Sequence, residues 1–196
     1  DFIEQFEGDD LLFVAGSTWK EGEEMLVDYI NTSEIENVKF LFAPHNINQK
    51  GIEELKNSIN KSVVLFSELK QSDVSSANVF IADTIGLLTK IYSYADVAYV
   101  GGGFASGLHN VLEPATFGVP VIIGPKFDKF REAKELVNEK GCLVAQSANE
   151  MKTQLDSLFL DEVFRKRTGE ICADYVKKNT GATKMILEYI EKNIEG

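Results

Sequence analysis

The sequence is poor in the residues that most often announce a chemistry. Its 196 residues include two cysteines, two histidines, four prolines and one tryptophan. Cys142 and Cys172 lack the close spacing of a metal or redox motif. Cys142 stands in an apolar run with Leu143, Val144 and Ala145, as a buried strand residue does, and Cys172 falls in a helical pattern. Unpaired thiols fit a reducing compartment. His45 and His109 are too few for a His-rich metal centre, and neither a metal nor another cofactor is expected. Positive charge is also scarce. Lys and Arg number 20 against 31 Asp and Glu, for a net charge of −11. That field repels nucleic-acid phosphates, so a nucleic-acid partner is not expected. An anionic ligand would need local donors to work against it. No apolar run reaches the ~18–20 residues of a transmembrane helix, and no secretory signal is present. The chain is expected to be soluble. It opens on Asp1 and Phe2 without a methionine, as a fragment or processed piece would.

What is present is a regular alternation. Continuous apolar β-type runs fall at 11–15, 38–43, 63–66, 79–82, 97–100, 119–123 and 142–144. Helical patterns fall at 21–30, 47–60, 84–95, 110–117 and 130–140, and three more follow at 148–159, 161–178 and 182–194. Strands that are apolar throughout, separated by helices, predict a parallel sheet covered on both faces. The fold class is α/β, a Rossmann-like doubly wound parallel sheet. Ligands of such folds sit at the carboxyl ends of strands. Residues 1–9 are polar and weakly periodic and are expected to end an interdomain connection. Residues 10–196 form the domain.

The segments that follow the strands carry the candidate chemistry. Gly101, Gly102 and Gly103 follow the fifth strand directly, and glycine lets a backbone approach a ligand closely. Gly107, His109 and Asn110 then lead into a predicted helix whose free N–H groups suit an anion; a flexible turn is the alternative. Asn110 with Glu113 has the spacing of a capping box, and the same two residues can also face a ribose. His109 either donates to a phosphate or holds its own loop. Ser17 and Thr18 follow the first strand, where hydroxyls suit a phosphate or carboxylate, or cap the next helix. Glu21, Glu23 and Glu24 read mainly as complements of a helix dipole. Pro44 and His45 follow the second strand. Asp83, Thr84, Ile85 and Gly86 follow the fourth, with Asp83 as a possible N-cap and Gly86 costly in a first helical turn unless something approaches closely. Lys126, Lys129, Arg131 and Lys134 offer local positive potential or a solvated helix face interleaved with Glu132 and Glu135.

With these segments in place, nearly the whole chain resembles the C-terminal half of the Kdo transferases of lipopolysaccharide synthesis, which have the two-domain glycosyltransferase-B fold. The marks are Ser17, Thr18 and the run Glu21, Gly22, Glu23, Glu24; Ala43, Pro44 and His45; Asp83 to Gly86; and Gly101 to Gly103 with His109, Asn110, Val111, Leu112, Glu113 and Pro114. The resemblance implies a donor, CMP-Kdo, held largely by this half. It implies contacts from Pro44, His45, Ile85, Gly86, Leu87, Asn110, Val111, Leu112 and Glu113, beside Ser17, Thr18, Gly102, Gly103 and His109. Three departures stand out. The family commonly has Arg where this chain has His45, and Glu where it has Leu87, and the first motif carries an extra residue around Trp19 and Lys20. Arg and His are not equivalent as charge clamps.

The family's catalytic base is a glutamate of the N-terminal domain, so no catalytic residue is expected in this chain. The resemblance also implies a lipid A precursor as acceptor, met mainly through the missing domain, and membrane contact only through that N-terminal region. The full-length protein is implied to work on the cytoplasmic face of the bacterial inner membrane. The alternatives are a UDP-using glycosyltransferase-B or sugar-nucleotide epimerase domain, or a non-catalytic nucleotide-binding domain.

Overall fold

The computed structural model of the chain describes residues 2–69, 73–105, 107–181 and 189–190. Seven parallel strands form one sheet: β1 (Leu11–Thr18), β2 (Val38–Pro44), β3 (Val63–Leu65), β4 (Val79–Ile81), β5 (Val97–Val100), β6 (Val121–Ile123) and β7 (Cys142–Val144). Their order is β3-β4-β2-β1-β5-β6-β7. The chain builds outward from β1 in one direction, then crosses over to place β5 on the other side of β1. This reversal creates a crevice at the carboxyl ends of β1 and β5, where doubly wound sheets receive their ligands.

The expected doubly wound architecture is what forms, because every central strand is apolar on both sides. In β1, Phe13 and Ala15 face one core while Leu12 and Val14 face the other. In β2, Phe40 and Phe42 pair off against Leu41 and Ala43 in the same way. One face is covered by α2 (Lys20–Thr32), α3 (Gln49–Ser58) and α7 (Ala148–Leu160), through Leu26, Ile30, Leu55, Met151 and Leu155. The other carries α1 (Phe2–Glu7), α4 (Leu88–Ile91) with the 3-10 turn Tyr92–Tyr94, α5 (Leu112–Ala115), α6 (Arg131–Glu139) and α8 (Glu162–Asn179). Residues 1–9 were expected as the end of a connection. Within them, α1 buries Ile3 and Phe6, and Phe6 rests on Phe80 of β4 with ring centroids 5.6 Å apart.

Two elements differ from expectation. The helix expected at 84–95 begins only at Leu88. Asp83 does not cap it; its carboxylate instead accepts from the Ser67 N–H and hydroxyl, at 2.9 and 2.6 Å. Gly86 therefore lies in a loop at φ +92 and not in a helical turn. The helix expected at 110–117 shrinks to the four residues of α5, with Val111 as its N-cap. Asn110 and Glu113 form no capping box. The Asn110 side-chain oxygen accepts from the Leu112 N–H at 3.0 Å, an Asx-turn, and its amide meets Glu113 Oε1 at 3.3 Å. The helical pattern at 182–194 lies outside the described residues apart from Tyr189 and Ile190. Cys142 and Cys172 are both buried and unpaired.

Candidate functional site

The last turn of β1 sets the site. Opposite β2, Gly16 aligns with Ala43 and Thr18 with Pro44, so Ser17 is an extra residue that bulges from the ladder. Ser17 takes a left-handed conformation at φ 50, which is uncommon for a residue with a side chain. Bulges of this kind re-aim neighbouring side chains. Thr18 turns inward, only 2% exposed, and its hydroxyl donates to Glu23 Oε1 at 2.6 Å. Ser17 turns to the opposite side, onto a pocket of about 150 Å³.

That pocket spans the carboxyl ends of β1, β2 and β4. Pro44, His45, Ile85 and Gly86 line it with Ser17, and Ile47, Thr84 and Leu88 complete it. Five of the expected site residues thus meet in one depression, although they come from three separate loops. Ile85 is 89% exposed at its edge. Gly86 opens into free space; a Cβ there would meet nothing within 4 Å. Leu87 is instead half-buried against the apolar core under the sheet, so its side chain serves packing.

The β5 side of the crevice is tied directly to β1. The Gly101 N–H donates to Gly16 O at 2.9 Å, and His109 N–H to Gly101 O at 3.1 Å. A Cβ on Gly101 would fall on the Ser17 carbonyl oxygen, which is why only glycine fits that position. Gly102 and Gly103 are buried within the loop, and Lys126 closes it by donating its ammonium to the carbonyls of Phe104 (2.9 Å) and Ala105 (3.3 Å). Arg131 pairs with Glu135 at 2.7 Å. Those two members of the basic run are therefore engaged in loop closure and on a solvated helix face.

Three rings gather over the mouth of the crevice. The indole of Trp19 stacks on His45 with centroids 4.7 Å apart, and His45 lies 4.5 Å from His109. The Trp19 indole N–H donates to His109 Nε2 at 3.1 Å. Burial and the neighbouring His45 lower the His109 pKa below the usual histidine value, with Glu113 opposing them. Below these rings, Glu113 receives Thr89 Oγ1 on its second oxygen at 3.3 Å. Val111 is buried and Leu112 half-buried in the core beneath, so their side chains serve packing. Trp19 and Thr89 are the participants that the sequence motifs did not single out. The only tryptophan of the chain, placed directly after a strand, was the available signal.

A second and larger cavity, about 540 Å³, lies between α2 and α3 and is lined by Thr18, Trp19, Glu23, Asp28, Asn48 and Glu54 among others. Burial raises the pKa of Glu23, with Glu21 and Glu24 adding to the shift and the Thr18 hydroxyl opposing it. Among the described residues, no group of His, Cys, Asp and Glu is placed to hold a metal ion.

A seven-stranded parallel sheet with this order and a glycine-lined crevice at β1 and β5 defines the chain as a Rossmann-like half of the glycosyltransferase-B fold. The structure matches the C-terminal CMP-Kdo binding domain of WaaA from Acinetobacter baumannii with a TM-score of 0.76 at 22% identity, covering 89% of this chain and 93% of that one. It also matches the UDP-GlcNAc 2-epimerase of Neisseria meningitidis, with a TM-score of 0.66 at 14% identity over 97% of this chain and 46% of the other. In sequence, the chain is a relative of the 3-deoxy-D-manno-octulosonic acid (Kdo) transferases. It is 34% identical to that of Chlamydophila psittaci over 140 residues, which are 70% of this chain and 32% of the relative. It is 26% identical over 193 residues to that of Chlamydia trachomatis, or 97% of this chain and 44% of the relative. A bifunctional glycosyltransferase/methyltransferase of Fusobacterium nucleatum is 29% identical over 155 residues, 77% of this chain and 24% of that protein. The chain spans less than half the length of these curated relatives. No protein-family model matches it.

Proposed function

We propose that residues 10–196 are the donor-binding domain of a glycosyltransferase that moves Kdo from CMP-Kdo to a lipid A precursor, with residues 1–9 leading in from a preceding domain. One observation carries the reading: the motif residues Ser17, Pro44, His45, Ile85, Gly86, His109 and Asn110, scattered through the sequence, all follow the carboxyl ends of β4, β2, β1 and β5, the first five in one pocket and His109 joined to it through His45. The chain's sequence relatives named as Kdo transferases favour CMP-Kdo over a UDP-sugar.

In this reading the pocket beneath Ile85 and Pro44 takes the planar base, and Glu113 accepts from the ribose hydroxyls. The phosphate lies at the His109 to Val111 turn, beside the loop of Gly102 and Gly103. α5 is too short for an appreciable dipole. The donors are instead individual loop N–H groups, notably those of Asn110 and Val111, which make no hydrogen bond to other described residues. Preorganised N–H donors stabilise the charge that develops on a departing phosphate, and they do so locally, against the net negative field of the chain. The reaction is a direct displacement at the anomeric carbon. A base activates the acceptor hydroxyl and CMP leaves with the bonding electron pair. That base belongs to the other domain, as do the acceptor contacts and the attachment to the cytoplasmic face of the inner membrane. Among the described residues of this chain, no helix is long and apolar enough to cross a membrane.

Calorimetric titration of the chain with CMP, UMP and UDP tests the reading. CMP is expected to bind most tightly. Tighter binding of UDP, or Kdo transfer by the chain alone, would overturn it.

A further inference from the structure

We propose that Trp19 is a positioning residue: its indole fixes the tautomer of His109, so that His109 presents Nδ1–H to the ligand while staying uncharged. An indole nitrogen can only donate a hydrogen bond. Trp19 Nε1 lies 3.1 Å from His109 Nε2, so Nε2 must supply a lone pair. A neutral imidazole carries one proton, and here it can only sit on Nδ1. The rest of the ring is accounted for. Its Cδ2 corner lies beside Gly102, and its face is shared with His45. Nδ1 makes no hydrogen bond to any described residue. The ring is thus held at Nε2, which leaves Nδ1 to carry the proton.

The groups facing His109 keep it neutral. His45 and the partial burial oppose a charge on the ring, while Glu113 favours one. A proton added at Nε2 would also have to displace the indole N–H, because two donors cannot share one hydrogen bond. Trp19 is itself held in place, stacked on His45 and extended at the entry to α2. The result is a fixed, uncharged donor at the mouth of the crevice, suited to an anionic or carbonyl oxygen. The tautomer half of this proposal depends only on the contact. The ligand half rests on the CMP-Kdo reading.

The test combines imidazole ¹⁵N spectra of the whole 196-residue chain with titrations of CMP and inorganic phosphate. In the free chain at neutral pH, His109 is expected to show an unprotonated Nε2 and a protonated Nδ1. Trp19→Phe keeps an aromatic stack but removes the donor, and is expected to let Nε2 gain the proton. His109→Asn places an amide N–H where Nδ1–H was and should hold CMP within about threefold of the parent. His109→Gln moves the amide to the Nε2 position and should lose about tenfold, the value of one hydrogen bond. A protonated Nε2 in the parent, an unchanged tautomer in Trp19→Phe, or better binding by Gln than by Asn overturns the proposal. Should Trp19→Phe fail to fold, the parent spectrum and the Asn and Gln pair decide it with Trp19 intact. If the parent binds neither CMP nor phosphate, the donor-site reading falls and takes the ligand half with it, while the spectra still decide the tautomer.

Discussion

The indole of Trp19 and the imidazole of His45 lie face to face, 4.7 Å apart between centroids and within 21° of parallel. Because Trp19 is the only tryptophan of the chain, its emission reports on this site alone. Its other neighbour, His109, has a lowered pKa. The emission should therefore titrate with a midpoint below the ordinary histidine value of about 6.5, and His109→Asn should remove that transition. The same shift carries a stability consequence. Below about pH 6.5 the unfolded chain takes up a proton that the folded His109 resists, so stability is lost as pH falls towards and through the folded pKa. A pH series of fluorescence and thermal melts checks both; a midpoint above 6.5 would contradict the assignment.

Glu23 behaves in the opposite sense. Its raised pKa means that the folded chain holds a proton that the unfolded chain releases first. Its contribution is fully present at acid pH and is lost as pH rises through the folded pKa. Glu23→Gln removes the penalty and keeps an oxygen for the Thr18 hydroxyl. The variant should melt higher than the parent at pH 7 to 8, with the difference vanishing at acid pH. An unchanged difference across the series would mean that burial does not strain this carboxylate.

Gly101 and Gly86 separate packing from ligand contact. A side chain at Gly101 would meet the Ser17 backbone, and overpacking of this kind costs about 1–3 kcal/mol or more. In a chain of this size that lowers Tm by on the order of 5–10 °C. Gly86 at φ +92 has open space around it, so Gly86→Ala carries only the backbone penalty of about 1–2 kcal/mol. Its larger effect should be on CMP affinity, because Gly86 lines the 150 Å³ pocket and a fixed positive φ there sets the shape of its rim. Thermal melts and calorimetry of the two variants distinguish the roles.

Burial pushes the Cys142 thiol well up and that of Cys172 up to about 12. Cys172 also donates to Gly141 O at 3.2 Å. Neither thiolate forms at pH 8 in the folded chain. Alkylation by iodoacetamide should be absent under native conditions and reach two sites per chain in denaturant. Modification of the folded chain at the rate of a free thiol would show that the α8 and β7 contact opens locally.

The strands were legible because runs such as Leu12 to Ala15 and Val97 to Val100 are apolar at every position, which only a sheet covered on both faces accommodates. The short helices were harder to read. At 84–95 the pattern marks a helix from its first residue, but Asp83 is bound to Ser67 and Gly86 takes a positive φ, so winding starts four residues later. At 110–117 the Asn and Glu spacing imitates a capping box, while the real contact joins the two side chains. The convergence of Ser17, His45 and Gly86 depended on the order of the strands, and that order was implied by the fold class. The ring cluster was not legible, because the Trp19 to His109 contact joins residues on two different strand exits, and no local pattern encodes such a meeting.

The sheet order has a mechanical meaning. Strands β1 to β4 come from the first half of the chain and β5 to β7 from the second, and the two blocks touch in the sheet only along β1 and β5. The ligand crevice sits on this seam. Helix α7, made by the second block, reaches back over it, packing on α2 and accepting the Tyr29 hydroxyl at Asp156 at 2.8 Å. It acts as a latch across the join. Both hydrophobic layers run across the join, from Phe13 to Ile122 on one face and from Leu12 to Val119 on the other, and the ring cluster and the Gly101 to Gly16 bond would come apart with the first slip. The site is thus the gauge of whether the two blocks are docked.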